Sequence, residues 1–480
     1  MTLRIHDTRT GKKVPFEPLV PGKVSLYACG TTVYDLCHIG HARKEVAWDV
    51  ITRHLRASFE LRFVRNITDV DDKIINKANE EKKSAAEVAR HYTDEMNVDF
   101  RALGLATPDL EPRATDHIAE MIDIIRRLEE KGLAYAAGGD VYYAVPKFAG
   151  YGQLSGQGID DMKAGARVEV DEQKQSPLDF ALWKGAKPGE PFWPSPWGNG
   201  RPGWHIECSA MSYRYLGEQF DIHGGGTDLI FPHHENEIAQ SEGAFGAGSF
   251  ARHWIHSGLL TLDGVKMSKS LGNIITIRKV METHDLEALR LLYLGVHYRS
   301  TVDFAYQKLD EAEERLEYFY TTLARLADAP AGDDKGAVLP EAEKTLPVFQ
   351  EAMDDDFNAA GAVGHLYEAF VLANRLLEDP KAAPKDVRRR TLARLRRDLL
   401  KCGETLGIFQ RGPAAFLLAR RDRQCARLGI DAPAVEARIK DRAAARAAKD
   451  FARADEIRRE LREQRIELMD GPTGTTWRVV

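Results

Sequence analysis

Cysteine is scarce in this 480-residue chain: there are five, an odd number scattered along its length. That argues against a disulfide framework of the kind that staples small secreted domains. It leaves each thiol free to be a metal ligand or buried core. Long apolar runs are missing as well. No stretch of about 18 apolar residues occurs, the minimum for a membrane-spanning helix. The opening MTLRIHDTRTGKK lacks the apolar core of a secretory leader, so a cytoplasmic setting is expected. Positive charge is not in excess either. With a formal net charge of −6, blanket attraction to nucleic acid is excluded, and any such partner must be met by local basic patches.

Hydrophobic residues, by contrast, make up 43% of the chain, enough for sizeable cores. The length predicts roughly two to four domains. The first part alternates strands and helices. VSLYACG (24–30) reads as a strand ending in small residues. HARKEVAWDVITRHLRAS (41–58) has helical spacing, with Val46, Ile51 and Leu55 on one side. ELRFVRNIT (60–68) reads as a second strand, followed by a helix rich in Lys, Asp and Glu. Such alternation predicts an α/β fold with a parallel sheet. Residues 116–202 begin helical and then turn rich in Gly, Pro and Trp, as an insertion of strands and loops would. The α/β pattern resumes with QFDIHGGG as strand then turn, PHHENEIAQSEGAF as a helix and HWIHSGLLTL as a strand. After about 305, apolar residues recur at i, i+3, i+4 and i+7, the period of bundle helices. The end reads as one Arg- and Ala-rich helix followed by strand material.

Two short motifs carry phosphate chemistry. CHIGHAR places His38, Gly40 and His41 after a strand, where a helix opens. A helix N-terminus suits phosphate, and a glycine admits a close neighbour. GVKMSKSLGN places Lys266 and Lys269 in a small, polar, cationic loop. Either alone is as readily an ordinary cap or a solvated loop. Together, in this order and context, they resemble the signature pair of class I aminoacyl-tRNA synthetases. The resemblance implies attack of an amino acid's carboxylate on the α-phosphate of ATP. His38 and His41 would act on the phosphates, and Lys266 and Lys269 would offset charge in the transition state.

FPHHENEIAQSE (231–242) raises the question of which amino acid. His233 and Glu237 are four apart and share a helix face; His234, three before Glu237, is not excluded by spacing. Cys29 ends the strand before the histidine motif, and Cys208 lies in GWHIECSAM. Cys29, Cys208, His233 and Glu237 form a set suited to Zn²⁺, although the spacing is dispersed and each residue taken singly could be plain core. As a set they resemble the cysteinyl-tRNA synthetases, along with YACGTTVYDLCHIGHAR, RNITDVDDKI, FDIHGGGTDLIFPHHENEIAQSE, KMSKSLGN, HYRS, MDDDFN and GPTGTTWR.

The resemblance implies His233 rather than His234 as ligand, and one zinc ion that reads the thiol of L-cysteine. ATP enters with Mg²⁺, and tRNA(Cys) is the acceptor for a monomeric enzyme. It implies a Rossmann-like catalytic domain in two halves, 1–115 and 203–305, the second carrying the lysine loop. A connective insertion (116–202), a helical bundle (306–410) and a small anticodon-binding domain (411–480) complete the chain. Thr68, Trp204 and Asp228 are expected at the cysteine, and Gly224 and Gly225 at adenosine. Cys37, Cys402 and Cys425 are then bystanders.

At the C-terminal end, Arg438, Arg442, Arg446, Lys449 and Arg453 recur at helical offsets as a basic stripe fit for tRNA phosphates. Trp477 is expected to stack on an unpaired base. Interleaved Asp441, Asp450, Asp455 and Glu456 offer a plainer reading, a solvated helix of ion pairs. Three further readings compete: a ligase joining cysteine to an amino sugar in mycothiol synthesis, a non-catalytic relative, and a persulfide-forming side activity with pyridoxal phosphate held by Lys73 and Lys77. The anticodon-type C-terminus argues against the first, and the intact histidines and lysines against the second.

Overall fold

The computed structural model describes residues 2–158, 173–267, 272–330, 336–471 and 474–479. The apolar strand segments come together as one four-stranded sheet in the order Phe250–Ser257, Gln219–Gly226, Lys23–Thr32 and Glu60–Thr68, and every neighbouring pair is parallel. The chain leaves this sheet after Thr68 and re-enters on the other side of Lys23–Thr32. That creates a topological switch point beside the carboxyl ends of the central strands, where open α/β sheets bind their ligands.

Helix Ile39–Arg56 crosses the sheet and buries Val46, Val50, Ile51 and Leu55. His38 caps its start, and Arg53, His54 and Arg56 in its last turn suit the negative end of the helix dipole. The inserted segment contributes helix Ile118–Glu130 and an antiparallel sheet of strands Ala134–Ala137, Asp140–Tyr143, Phe180–Gly185 and Gly200–Pro202, packed around a fully buried Trp183. Helices Tyr306–Asp328, Ala359–Glu378 and Lys385–Leu406 form a bundle with stacked Phe319 and Phe370 at its centre. The bundle's apolar core is continuous with the helical layer of the parallel sheet. Helix Pro413–Leu428 serves two cores: Phe416 stacks on Tyr320 in the bundle, and Cys425 joins the C-terminal core. Among the described residues, no helix is long and apolar enough to cross a membrane.

Three elements differ from the sequence reading. HWIHSGLLTL is two strands, Phe250–Ser257 in the parallel sheet and Leu260–Leu262 in a smaller one, because the Gly258 N–H donates to Tyr298 O at 2.8 Å and turns the chain away. QFDIHGGG stays in the sheet through Gly226. The Arg- and Ala-rich helix is two, Ala432–Ala447 and Phe451–Glu463. Lys449 adopts φ +62°, and the Asp450 side chain caps the second helix by accepting from Arg453 N.

Candidate functional site

Four side chains from three segments of the chain meet at the switch point. Cys29 comes from the central strand Lys23–Thr32, Cys208 from helix Trp204–Leu216, His233 from the turn before helix Glu235–Phe245, and Glu237 from that helix. Their donor atoms all lie within 4.8 Å of one another, and all four residues are buried. Cys29 Sγ stands 3.6 Å from Cys208 Sγ and 3.5 Å from both His233 Nε2 and Glu237 Oε1. His233 Nε2 lies 2.9 Å from Glu237 Oε1.

A layer of histidines surrounds these donors, of which only His234 stood out by its spacing. His223, on strand Gln219–Gly226, donates from Nδ1 to Tyr27 O at 3.0 Å and places Nε2 2.7 Å from Glu237 Oε2. His205 Nδ1 lies 2.9 Å from His233 Nδ1, and Trp204 stacks on the His233 ring at 4.2 Å. His234 reaches Cys29 Sγ at 3.3 Å with Nε2 and His256 at 2.7 Å with Nδ1; His256 reaches Thr8 Oγ1 at 2.8 Å. Lys44 Nζ donates to the carbonyls of Cys29 and Gly30 at 3.0 and 2.9 Å.

The electrostatics follow from this packing. Burial alone would lower His233, but the Glu237 carboxylate and Cys208 hold it at about 10. Burial would raise Glu237, yet His223 and His233 bring it to about 2. Burial would also raise Cys208, and its hydrogen bond with Cys29 and the charge on His233 bring it to about 6. Burial drives the Cys29 thiol upward, and keeps His205 and His234 neutral by lowering them well below the usual range. A protonated His233 thus donates from Nδ1 to the neutral ring of His205, which turns Nε2 toward Glu237 and Cys29.

The residues fit a metal ion. Two thiols, an imidazole and a carboxylate are a zinc-type donor set, and a cation there would replace the His233 proton as the positive charge between Cys208 and Glu237. His205 behind His233 and His223 behind Glu237 are the outer partners that orient metal ligands. A second set of similar size, Cys29, His223, His234 and Glu237, overlaps the first.

The histidine motif forms the N-terminus of helix Ile39–Arg56. His38 Nδ1 accepts from Gly40 N and His41 N at 3.1 and 3.3 Å, and His41 Nδ1 accepts from His38 N at 3.3 Å. The rings stack at 3.7 Å. With both Nδ1 atoms accepting, each neutral ring carries its proton on Nε2. Some of the helix's N–H groups are therefore capped by the histidines instead of being offered to a ligand. Gly40 is tightly packed: a Cβ there would sit 3.0 Å from the His38 ring and from Met267 Cε, so those side chains would have to give by a few tenths of an ångström. The two motifs therefore touch at this glycine. Ile39 N also donates to Ile275 O, and Ile277 N to Cys37 O, both at 3.0 Å. Lys266 ends strand Val265–Lys266, and Lys269 lies outside the described residues.

Gly224 and Gly225 answer to the protein's own atoms. A Cβ on Gly224 would lie 2.0 Å from Ile255 O and 2.6 Å from the Trp48 ring, and one on Gly225 2.7 Å from Leu229 Cδ1. Thr68 ends strand Glu60–Thr68 and is buried, donating to Glu207 Oε2 at 2.9 Å. Trp204 is 38% exposed over His233, and Asp228 is exposed in the turn after Gly226. Lys73 and Lys77 stand on helix Asp72–Glu81, Lys73 over the Tyr34 ring and Lys77 beside Glu80 and Glu81.

The C-terminal expectations need correction. Trp477 is not presented for base stacking. It is buried in the core of the C-terminal unit, donates to Glu436 Oε1 at 2.7 Å and lies under Arg421. Arg442 is buried and forks onto Asp470 with two 2.8 Å bonds. Arg438 pairs with Glu460 and Asp441, and Arg446 with Asp470 at 3.3 Å. The break at Lys449 puts Arg453 on another helix, so no continuous stripe forms. Carboxylates from the second helix and the hairpin, distant in sequence, claim these arginines.

Comparison with known proteins covers the whole chain. The profile described as tRNA synthetases class I (C) catalytic domain matches residues 15–314, that of the DALR domain residues 348–410, and that of the Cysteinyl-tRNA ligase anticodon binding domain residues 432–478. A Geobacter metallireducens protein named Cysteine--tRNA ligase is 54% identical over 487 residues, covering 100% of both chains. Its namesake from Geobacter sulfurreducens is 52% identical over 486 residues, again with 100% of both covered. In fold, the chain is similar to the solved Mycobacterium tuberculosis methionyl-tRNA synthetase in complex with methionyl-adenylate, with a TM-score of 0.60 at 16% identity, over 85% of this chain and 96% of that one. The catalytic match takes in all four buried donors and both phosphate motifs, the anticodon-domain match favours tRNA over an amino-sugar acceptor, and the full-length identity joins them: the chain belongs to the cysteine–tRNA ligases, ATP-dependent enzymes that join cysteine to its tRNA.

Proposed function

We propose that Cys29, Cys208, His233 and Glu237 hold one zinc ion, and that the thiol of L-cysteine is read there. The observation that carries this reading is the convergence of two sulfurs, a nitrogen and an oxygen from segments up to 208 residues apart. Zinc held by these donors supplies a soft Lewis acid that takes a thiolate in preference to an alcohol. The overlapping set is less suited. It gives up one thiolate, its His234 stands 4.0 Å from Glu237 Oε1 where His233 stands at 2.9 Å, and its His223 already bridges Tyr27 and Glu237.

ATP, with Mg²⁺, belongs over the histidine motif. The protons on Nε2 of His38 and His41 suit the phosphates while a carboxylate oxygen of cysteine attacks the α-phosphorus and pyrophosphate leaves. Gly40 keeps the two motifs in contact, and Lys266 and Lys269 offset the charge that develops. The strand end at Gly224 and Gly225 is where adenosine would lie. Thr68, Trp204 and Asp228 are assigned to the amino acid. Of the C-terminal arginines, Arg446 keeps 51% of its side chain exposed and is the best suited to a tRNA(Cys) phosphate; Arg438 and Arg442 serve mainly to hold the module together. The divisions at 115, 202, 305 and 410 and a cytoplasmic monomer complete the reading.

Metal analysis of the purified protein, with charging of total tRNA by labelled cysteine and separately by labelled serine, tests the proposal. About one zinc per chain and incorporation of cysteine alone are expected. Charging by both amino acids would overturn the zinc reading.

A further inference from the structure

Thr68 stands at the end of a hydrogen-bond chain whose direction can be deduced from one fixed donor. The Gly30 N–H can only donate, and it donates to Asn66 Oδ1 at 2.8 Å. That fixes the Asn66 amide, so its Nδ2 donates to Thr68 Oγ1 at 3.3 Å. The Thr68 hydroxyl then sends its own proton to Glu207 Oε2 at 2.9 Å. A hydroxyl has one proton and two lone pairs. Here the proton is committed, one lone pair is taken, and the remaining one can only accept.

We propose that Glu207 is a positioning residue which, through Thr68, sets the amino-acid site to receive the α-ammonium group of cysteine and to reject thiols that lack it. This rests on the reading that the substrate's thiol lies at Cys29, Cys208, His233 and Glu237.

Three observations carry the assignment. Thr68, Asn66 and Glu207 are 4%, 2% and 1% exposed, so the polarity of the chain is sheltered from exchange with bulk water. Glu207 sits on helix Trp204–Leu216 next to Cys208, and Gly30 follows Cys29, so the chain starts and ends beside donors of the thiol site. Among the described residues, the second side-chain oxygen of Glu207, Oε1, has no hydrogen-bond partner and Glu207 forms no ion pair. A buried oxygen left without a donor is costly until one arrives. The substrate brings one: a thiol seated by the metal carries its ammonium two carbons away, toward the end of strand Glu60–Thr68.

The test compares two ligands on the full-length, zinc-loaded protein: L-cysteine and 3-mercaptopropionate, which keeps the thiol and carboxylate and lacks the ammonium. Dissociation constants are measured by calorimetry, with zinc content recorded for each protein. For Glu207→Gln, the advantage of cysteine over 3-mercaptopropionate should shrink about tenfold or more, because cysteine binds more weakly while 3-mercaptopropionate changes by less than about twofold. Thr68→Val, remote in sequence from every donor, should shrink the same ratio and decides the matter if Glu207→Gln loses zinc. Parallel weakening of both ligands, or an unchanged ratio, would overturn the proposal, because a purely structural role moves both together. If the unaltered protein held L-cysteine no tighter than L-alanine, the thiol reading would fall on its own, and the ratio would still decide the part played by Glu207.

Discussion

Cysteine and serine differ by one atom, and an apolar pocket separates such pairs by only about 1–3 kcal/mol. The charge pattern around Cys208 and Glu237 offers a stronger device: two anions held about the protonated imidazole of His233, ready for a cation to take that proton's place. Cys208→Ser should lower bound zinc and raise the KM for cysteine far more than the KM for ATP in pyrophosphate-exchange assays. An equal rise in both would count against a metal that reads the substrate. His205→Leu removes the acceptor behind His233 Nδ1 and should weaken zinc binding by about 10–100-fold, measured by chelator competition. At this scale the sequence was partly legible. The i, i+4 spacing brought out His233 and Glu237, since helical neighbours are near in sequence. His205, His223 and Glu207 carried no such sign, because their partners arrive from other strands and the helix over the sheet. Trp477 misled for the converse reason. A tryptophan near the terminus reads as accessible, and only the fold supplies Arg421 and Glu436 to cover it.

Helix Ile39–Arg56 holds the histidine motif in place through buried charges on its far side. Asp49 accepts from Arg53 Nε and Ala106 N, both at 2.8 Å, and pairs with the fully buried Arg290, which donates to Leu406 O at 2.7 Å. Arg43 donates to the carbonyls of Tyr293, His297 and Tyr298 at 3.1, 2.8 and 3.1 Å, tying the same helix to the end of helix Leu286–Leu294. Arg290→Met leaves a buried carboxylate short of a partner and should cost about 3–5 kcal/mol in urea denaturation. Burial works against the charge on Asp49, but Arg290 and Arg53 hold its carboxyl below the ordinary carboxylate range. The folded protein therefore takes up this proton only at a lower pH than the unfolded chain does. The resulting stability is fully present above about pH 5 and is lost progressively as the pH falls. Asp49→Asn should flatten the urea midpoint between about pH 5 and 2; an unchanged acid limb would remove Asp49 from the account. Helix Ile39–Arg56, the long bundle helices and the parallel strands were readable from apolar patterning, whereas helix Trp204–Leu216 and the split at Lys449 were not. A left-handed lysine and a capping Asp450 are local choices that an Arg- and Ala-rich run conceals.

Across the whole molecule, the donors and both phosphate motifs lie within the first 273 residues, while the C-terminal core is built from Cys425 to Val479. Helix Pro413–Leu428 is fastened to the rest through Arg411–Asp285 at 2.7 Å and Arg423–Asp285 at 2.8 Å, and through Phe416. A chain ending after Ile430 should keep cysteine-dependent pyrophosphate exchange within about twofold. Its tRNA charging should fall at least about tenfold, a difference of about 1.4 kcal/mol. Loss of exchange as well would show that the C-terminal unit supports the activation site directly.

Cys29 and Glu237 are 208 residues apart, and that span sets a schedule on the ribosome. At roughly 5–20 residues per second, about 10–40 s pass between the synthesis of one and the other. Throughout that interval the Cys29 thiol emerges without the groups that will shelter it, open to oxidants and to whatever thiophilic ion arrives first. Under the proposed zinc reading, loading of the metal is therefore a late event in the life of each new chain, and zinc supply and thiol reduction would act on the nascent protein before any tRNA does.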